Sequence, residues 1–116
     1  AAQLLEEAAK YIDVIKYSLT HRQMVNAYNR VTPLPLGYTL QVSDDWCDAF
    51  VTYIGDKLGI SSLIGRECGV ERHKNIFRQK GIWQGFHTNP LPGDIITFHW
   101  GDNDMGMLIT LDLLSL

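Results

Sequence analysis

The sequence has few of the groups that would staple a chain or bind it to a polyanion. It carries two cysteines, Cys47 and Cys68, in 116 residues, too few for a disulfide framework. Its four histidines, His21, His73, His87 and His99, are scattered, with no CxxC, HExxH or paired Cys/His spacing. No metal and no cofactor are therefore expected. Ten Lys and Arg face thirteen Asp and Glu, a net charge of −3. The densest basic stretch, Arg66 to Lys80, is interrupted by Glu67 and Glu71. Nucleic acid is thus not expected as a partner, since nothing is arranged to neutralise phosphates. No apolar run approaches the span of a bilayer, so no membrane partner is expected either. The start, Ala1 to Glu7, lacks the basic and continuously apolar stretches of a signal peptide. It also lacks an initiating Met, which suggests a trimmed chain or a fragment. With no repeat, no low-complexity stretch and no linker, the chain reads as a single domain over 1–116.

What is present is an ordinary globular composition, 46% hydrophobic and 20% charged, on a chain long enough to bury roughly two-thirds of its unfolded surface. Leu5, Ala8, Ile12, Ile15 and Leu19 recur at steps of three and four, which predicts one long amphipathic helix. His21 to Arg30 is more polar and predicts a short helix or turn. Pro33, Pro35 and Gly37 interrupt, and Tyr38 to Val42 reads as briefly extended. Ser43 is a plausible N-cap for the stripe Cys47, Phe50, Val51, Ile54 and Leu58, with Gly59 as its stop. Ile60 to Gly69 reads as loop and Val70 to Gln79 as a short helix. After the turn Pro90 to Asp94 the period changes. Ile95 to Phe98 and Met105 to Leu111 read as two strands of a hairpin. Helices followed by strands define an α+β class. Two strands alone do not make a stable sheet, so further C-terminal strands are expected to be missing, or the hairpin edge to pair elsewhere, including with a second copy.

The most informative segment is Asp44-Asp45-Trp46-Cys47-Asp48-Ala49-Phe50-Val51. A thiol at a helix start faces unpaired N–H groups and the positive end of the helix dipole, the setting of a nucleophilic cysteine. Cys47 read instead as a small buried hydrophobe is the plainer alternative, and the flanking carboxylates of Asp44, Asp45 and Asp48 oppose a thiolate. Cys68 reads as packing. His73 reads as a structural or surface histidine, and His21 and His87 as solvated. His99, between Phe98 and Trp100 on the first strand, is either an exposed strand histidine or the base that a nucleophilic cysteine requires.

Taken together these blocks resemble the CHAP family, the cysteine, histidine-dependent amidohydrolases/peptidases of phage endolysins and bacterial wall hydrolases. The resemblance runs through Gly37-Tyr38 with Asp44 to Val51, through Gly65 to His73 with Lys80 to Trp83, and through Pro92 to Trp100. It implies a papain-like α+β fold, with the cysteine on a helix packed against an antiparallel sheet. It also implies cleavage of a peptidoglycan amide by Cys47, at the wall of Gram-positive bacteria or as a phage product released at lysis. A separate wall-binding domain or chain would then supply targeting. The chain departs from the family at the next block. The family reads Asp-His-Val-Gly, with the histidine as general base; here Asn103-Asp104-Met105-Gly106 puts Asp104 at that position. A carboxylate with an ordinary pKa near about 4 is a poor base for a thiol. Catalytic candidates are therefore Cys47, His99 and Asp104. The chain is expected to clear walls poorly unless His99 serves as the base. The rival readings are an inactive relative that binds wall peptide and a structural or interaction domain.

Overall fold

The computed structural model describes residues 2–84, 89, 91–100 and 103–109. In chain order it contains α1 (Ala2–Ala9), α2 (Leu19–Arg30), a 3-10 turn at Pro35–Gly37, α3 (Cys47–Leu58), α4 (Ser61–Ile64), α5 (Val70–Gln79), β1 (Ile95–Trp100) and β2 (Asn103–Ile109). It is an α-rich fold with one antiparallel strand pair among the described residues. Helix α3 is its axis: α1, α2, α4 and β2 all pack on it, and α5 also lies against β2. Two apolar clusters flank α3. Val51 and Ile54 join Leu4, Ala8, Ile64 and Phe77 in one; Ala49 joins Met24, Val25, Tyr28 and Leu40 in the other.

The long first helix is not formed. Helix α1 stops at Ala9, and the chain tightens through Lys10 N–H to Glu7 O (3.2 Å) and Tyr11 N–H to Ala8 O (3.0 Å). Tyr11 instead turns onto α3, edge-on to Phe50 and Tyr53 with both centroids at 5.6 Å. Its hydroxyl lies 3.0 Å from that of Tyr53. This aromatic burial outweighs continuation of the helix, and leaves Ile12 and Ile15 exposed at 63% and 73%. Helix α2 is longer than its polarity suggested. Ser18 caps it, its hydroxyl accepting the N–H of His21 at 3.2 Å. The buried stripe His21, Met24, Val25, Tyr28 has helical spacing, but its first member is a histidine and carries no apolar signal.

The start of α3 also differs from expectation. Trp46, not Ser43, holds the cap position, and it makes no side-chain cap bond. Asp44, just before the helix, serves the preceding turn: its Oδ2 accepts the Tyr38 hydroxyl at 2.5 Å and the Gln41 N–H at 2.8 Å. Tyr38 to Val42 is not a strand. The Asn29 amide takes the place of a strand partner there, accepting the Leu40 N–H and donating to the Leu40 carbonyl, both at 2.9 Å. Gly59 stops α3 as expected, at φ 70°, with Ile60 N–H reaching back to Gly55 O at 2.9 Å. Ser61–Ile64 adds a helical turn within the expected loop, while α5 has the expected bounds.

The strand pair is antiparallel as expected. Leu91 to Asp94 makes the turn before it, with Asp94 N–H on Leu91 O (3.0 Å), Leu91 N–H on Asp94 Oδ2 (2.7 Å) and Gly93 at φ 92°. From Ile95↔Ile109 to Phe98↔Gly106 the register is regular; it then slips by one, to His99↔Asp104 and Trp100↔Asn103. Met105 is left without a partner, a β-bulge. Of the turn expected over Gly101-Asp102-Asn103-Asp104, Asn103 and Asp104 belong instead to β2, because the hairpin pairs as far as Trp100↔Asn103; Gly101, Asp102 and the apolar end from Thr110 to Leu116, with the self-association expected of that end, lie outside the described residues.

One residue ties these helices together. Arg66 grips both carboxylate oxygens of Asp56 on α3 through Nε (3.0 and 3.2 Å). It also donates to the Tyr28 and Val31 carbonyls at 3.2 and 3.1 Å, where the end of α2 leaves carbonyls without helical donors. The guanidinium fork is needed for this reach, so lysine is no substitute. Arg66→Lys is expected to cost about 1.5–3 kcal/mol, read as a lowered denaturation midpoint with an unchanged m-value.

Candidate functional site

Cys47 is the first residue of α3, half-buried and unpaired with Cys68. The N–H groups of a first helical turn have no intrahelical acceptor, and Cys47 stands in that turn. Its neighbour Trp46 is wedged between Phe50, edge-on at 6.1 Å, and the ring of His21 at 4.7 Å. His21 is therefore not solvated but fully buried. Its Nδ1 accepts the Tyr17 N–H at 2.9 Å, which places the proton of the neutral ring on Nε2. That Nε2 has no partner among the described residues. Burial lowers the pKa of His21, helped by the charges of Lys16 and Arg22. His21 is thus a neutral aromatic spacer that sets the tryptophan beside Cys47. His87 lies outside the described residues.

Asp48, the next residue after Cys47, points inward rather than opposing a thiolate from the surface. Its Oδ1 lies 2.6 Å from His73 Nδ1, and both side chains are completely buried. His73 Nε2 lies 2.7 Å from the carbonyl of Ile64, the last residue of α4. A carbonyl only accepts, so Nε2 carries a hydrogen. The short Nδ1···Oδ1 contact is the second hydrogen bond of the ring. The His73 ring also stacks on Phe77 at 4.4 Å. Three helices, α3, α4 and α5, are joined through this imidazole. The contact spans 25 positions, which is why no local pattern announced it.

Burial pushes the Asp48 carboxyl up to about 6, against the opposing effect of His73. Asp48 thus binds its proton more tightly in the fold than in the unfolded chain. The folded state gains as pH falls from about 6 towards the ordinary carboxylate value of about 4, and loses as pH rises through that window. Other carboxyls act in the opposite sense. Lys10 and Lys57 hold Glu7 low, and the Tyr38 hydroxyl and Gln41 amide hold Asp44 low. Burial works to raise Glu67, but Arg72 and the amides of Cys68 and Gly69 outweigh it and hold it low. Their contributions are present above the carboxylate range and disappear as pH falls through it. His21, held low by burial, also acts in this opposite sense on the way to its ordinary value, so the melting temperature is expected to peak near about pH 5, to decline to about pH 6 and not to fall further towards about pH 8. Asp48→Asn, which cannot titrate, is expected to remove the decline on the alkaline side.

An open cleft of about 450 Å³ lies next to this helix start, lined by Leu36, Tyr38, Leu40, Asp44, Asp45, Cys68 and Arg72. Its floor is fixed to α3: Thr52 Oγ1 donates to the Glu67 carbonyl at 2.6 Å and accepts the Glu67 N–H at 3.1 Å. Glu67 Oε1 in turn accepts the N–H groups of Cys68 and Gly69 at 2.9 and 3.2 Å, and Arg72 at 2.9 Å. Arg72 also donates to Cys68 Sγ at 3.7 Å. Cys68 packs against the second core cluster, as expected of a structural cysteine; it also faces this cleft, which sequence reasoning missed.

His99 and Asp104 are register partners on the strand pair, brought opposite each other by the one-residue slip at Met105. Without the bulge His99 would face Met105. Among the described residues no group of three or more His, Cys, Asp or Glu side chains is placed to hold a metal ion, and no helix is long and apolar enough to cross a membrane. Comparison of the chain with protein families, curated proteins and solved structures returns no match.

Proposed function

We propose that the chain is a CHAP-type domain of papain-like α+β architecture that cleaves a peptidoglycan amide, as an N-acetylmuramoyl-L-alanine amidase or an endopeptidase. The observation that carries this reading is positional. Cys47 opens the central helix, and the strand pair packed on that helix sets His99 opposite Asp104 across a bulge. Bulges are over-represented beside active sites because they re-aim side chains. In this reading the base has moved one strand over from its family position. His99 supplies the imidazole, and Asp104, too weak a base to act alone, supplies the carboxylate that orients it.

The chemistry then runs as follows. His99 takes the proton of the Cys47 thiol, and the sulfur attacks the amide carbonyl carbon. The oxyanion is met by the backbone N–H groups at the start of α3. The C–N bond breaks, and the leaving amine takes its proton from the imidazolium. Water, deprotonated by His99, hydrolyses the thioester and restores the thiol. No cofactor or metal enters. The substrate places the protein at the wall of a Gram-positive cell, as a bacterial or phage product, with a wall-binding domain or chain as its partner.

Asp104 at the family's histidine position favours a second reading, in which the domain holds wall peptide without cutting it. Purified Gram-positive walls separate the two. The catalytic reading expects release of free amino groups above buffer, abolished by His99→Ala while sedimentation with walls persists. Release that survives His99→Ala contradicts the assignment of the base. Sedimentation without any release supports the binding-only reading.

A further inference from the structure

We infer that Cys68 is an oxidation site, a thiol that a small uncharged hydroperoxide converts to a sulfenic acid, independently of the proposed wall chemistry. Cys68 is half-buried and free, and it lines the open cleft of about 450 Å³. On its core side it packs against the cluster that contains Tyr28. Tyr28 is fully buried, yet its hydroxyl makes no hydrogen bond with the described residues. It lies beside the Cys68 thiol instead: burial first, and then that neighbour, raise the pKa of the tyrosine, so it keeps its proton. The Arg66 guanidinium, 5.0 Å from the ring centroid, fixes the ring from one face. A buried donor without an acceptor is rare, and redox sites are one setting in which it occurs. A neutral thiol is only a weak acceptor. A sulfur that carries negative charge during oxidation is a strong one.

Arg72 meets the same sulfur from the exposed side. Its Nη2 donates to Cys68 Sγ at 3.7 Å, and its Nε and Nη2 hold Glu67 Oε1 at 3.0 and 2.9 Å. Its Nη1 donors make no hydrogen bond with the described residues, and they remain for an oxygen placed on the sulfur. Gly69 makes room for this guanidinium: a Cβ there would lie 2.7 Å from its central carbon. The carboxylates of Asp44 and Asp45 also line the cleft and repel anions, which is why the oxidant is uncharged. In the step, a sulfur lone pair attacks one peroxide oxygen. An S–O bond forms and the O–O bond breaks. The departing oxygen takes the thiol proton and leaves as water, or as an alcohol from an alkyl hydroperoxide. The sulfur gives up two electrons and the peroxide gains them. Arg72 then meets the new oxygen, while Tyr28 holds the sulfur from behind.

The test uses the full chain carrying Cys47→Ala, in which Cys68 is the one remaining thiol. It is treated with hydrogen peroxide under saturating dimedone, which traps sulfenic acids, and the adduct is followed by mass spectrometry. The native chain is expected to form the adduct about tenfold or more faster than the same chain unfolded in urea. Tyr28→Phe removes only a hydroxyl that makes no hydrogen bond, so it should fold unchanged and lose most of that advantage. Arg72→Gln, verified as folded by circular dichroism, should do the same. Where Arg72→Gln does not fold, Gly69→Ala displaces the guanidinium with its charge intact and should act alike. Native labelling no faster than unfolded labelling overturns the inference. So does an advantage that survives Tyr28→Phe, or one that survives the loss or displacement of the Arg72 guanidinium. The wall-release assay has no bearing on this outcome, since Cys47 is absent throughout.

Discussion

Truncating His73 to alanine is expected to cost on the order of 3–5 kcal/mol, the usual cost of breaking a buried ion-paired contact from one side. The change strands three groups at once. Asp48 Oδ1 loses its 2.6 Å partner on a carboxyl whose Oδ2 already has no partner among the described residues. The Ile64 carbonyl loses its donor, and Phe77 loses its stacked ring. Against a total stability of about 5–15 kcal/mol for a domain, such a loss brings the chain close to unfolding at room temperature. The penalty arises from the groups left behind, not from the worth of the pair. A double variant, Asp48→Val with His73→Leu, should therefore recover more than half of it. Denaturant midpoints of the parent, the two singles and the double give the answer; strictly additive losses would show that the two residues act independently.

The second large effect concerns Cys47. Its replacement by alanine is expected to reduce amine release from walls by several orders of magnitude, because a covalent mechanism has no alternative nucleophile and members of such a constellation do not act additively. Adding His99→Ala to Cys47→Ala should cost almost nothing more. Stability should hardly change, since the half-buried Cys47 belongs to neither core cluster. A large loss of release together with an unchanged melting temperature identifies chemistry rather than folding as the function of this thiol. Parallel losses of both would return Cys47 to a structural role.

Local signals were read well where they decided the outcome. The bounds of α5, the left-handed stop at Gly59 and the β-branched run Ile95 to Phe98 each rest on a few neighbouring residues, and each appears as expected. Reading failed where a distant partner decided. Ile12 and Ile15 had the right period for a continuing helix, but Tyr11 was captured by Phe50 and Tyr53. The α2 stripe was hidden because one of its four buried members is His21. Asp48 looked like one of three similar carboxylates; only the arrival of α5 gives it His73 and distinguishes it from Asp44 and Asp45. The facing of His99 and Asp104 depends on a one-residue bulge. Strict alternation along either strand does not reveal such a slip.

The central claim is that Cys47 carries an acyl group during turnover, and intact-protein mass spectrometry tests it most directly. The chain is mixed with solubilised wall peptides, quenched in acid within seconds, digested and mapped. The account predicts a mass increase equal to the acyl half of the cleaved peptide, on Cys47 alone, absent from Cys47→Ala. Cleaved peptide with no adduct on Cys47, or an adduct on Cys68 instead, would contradict it.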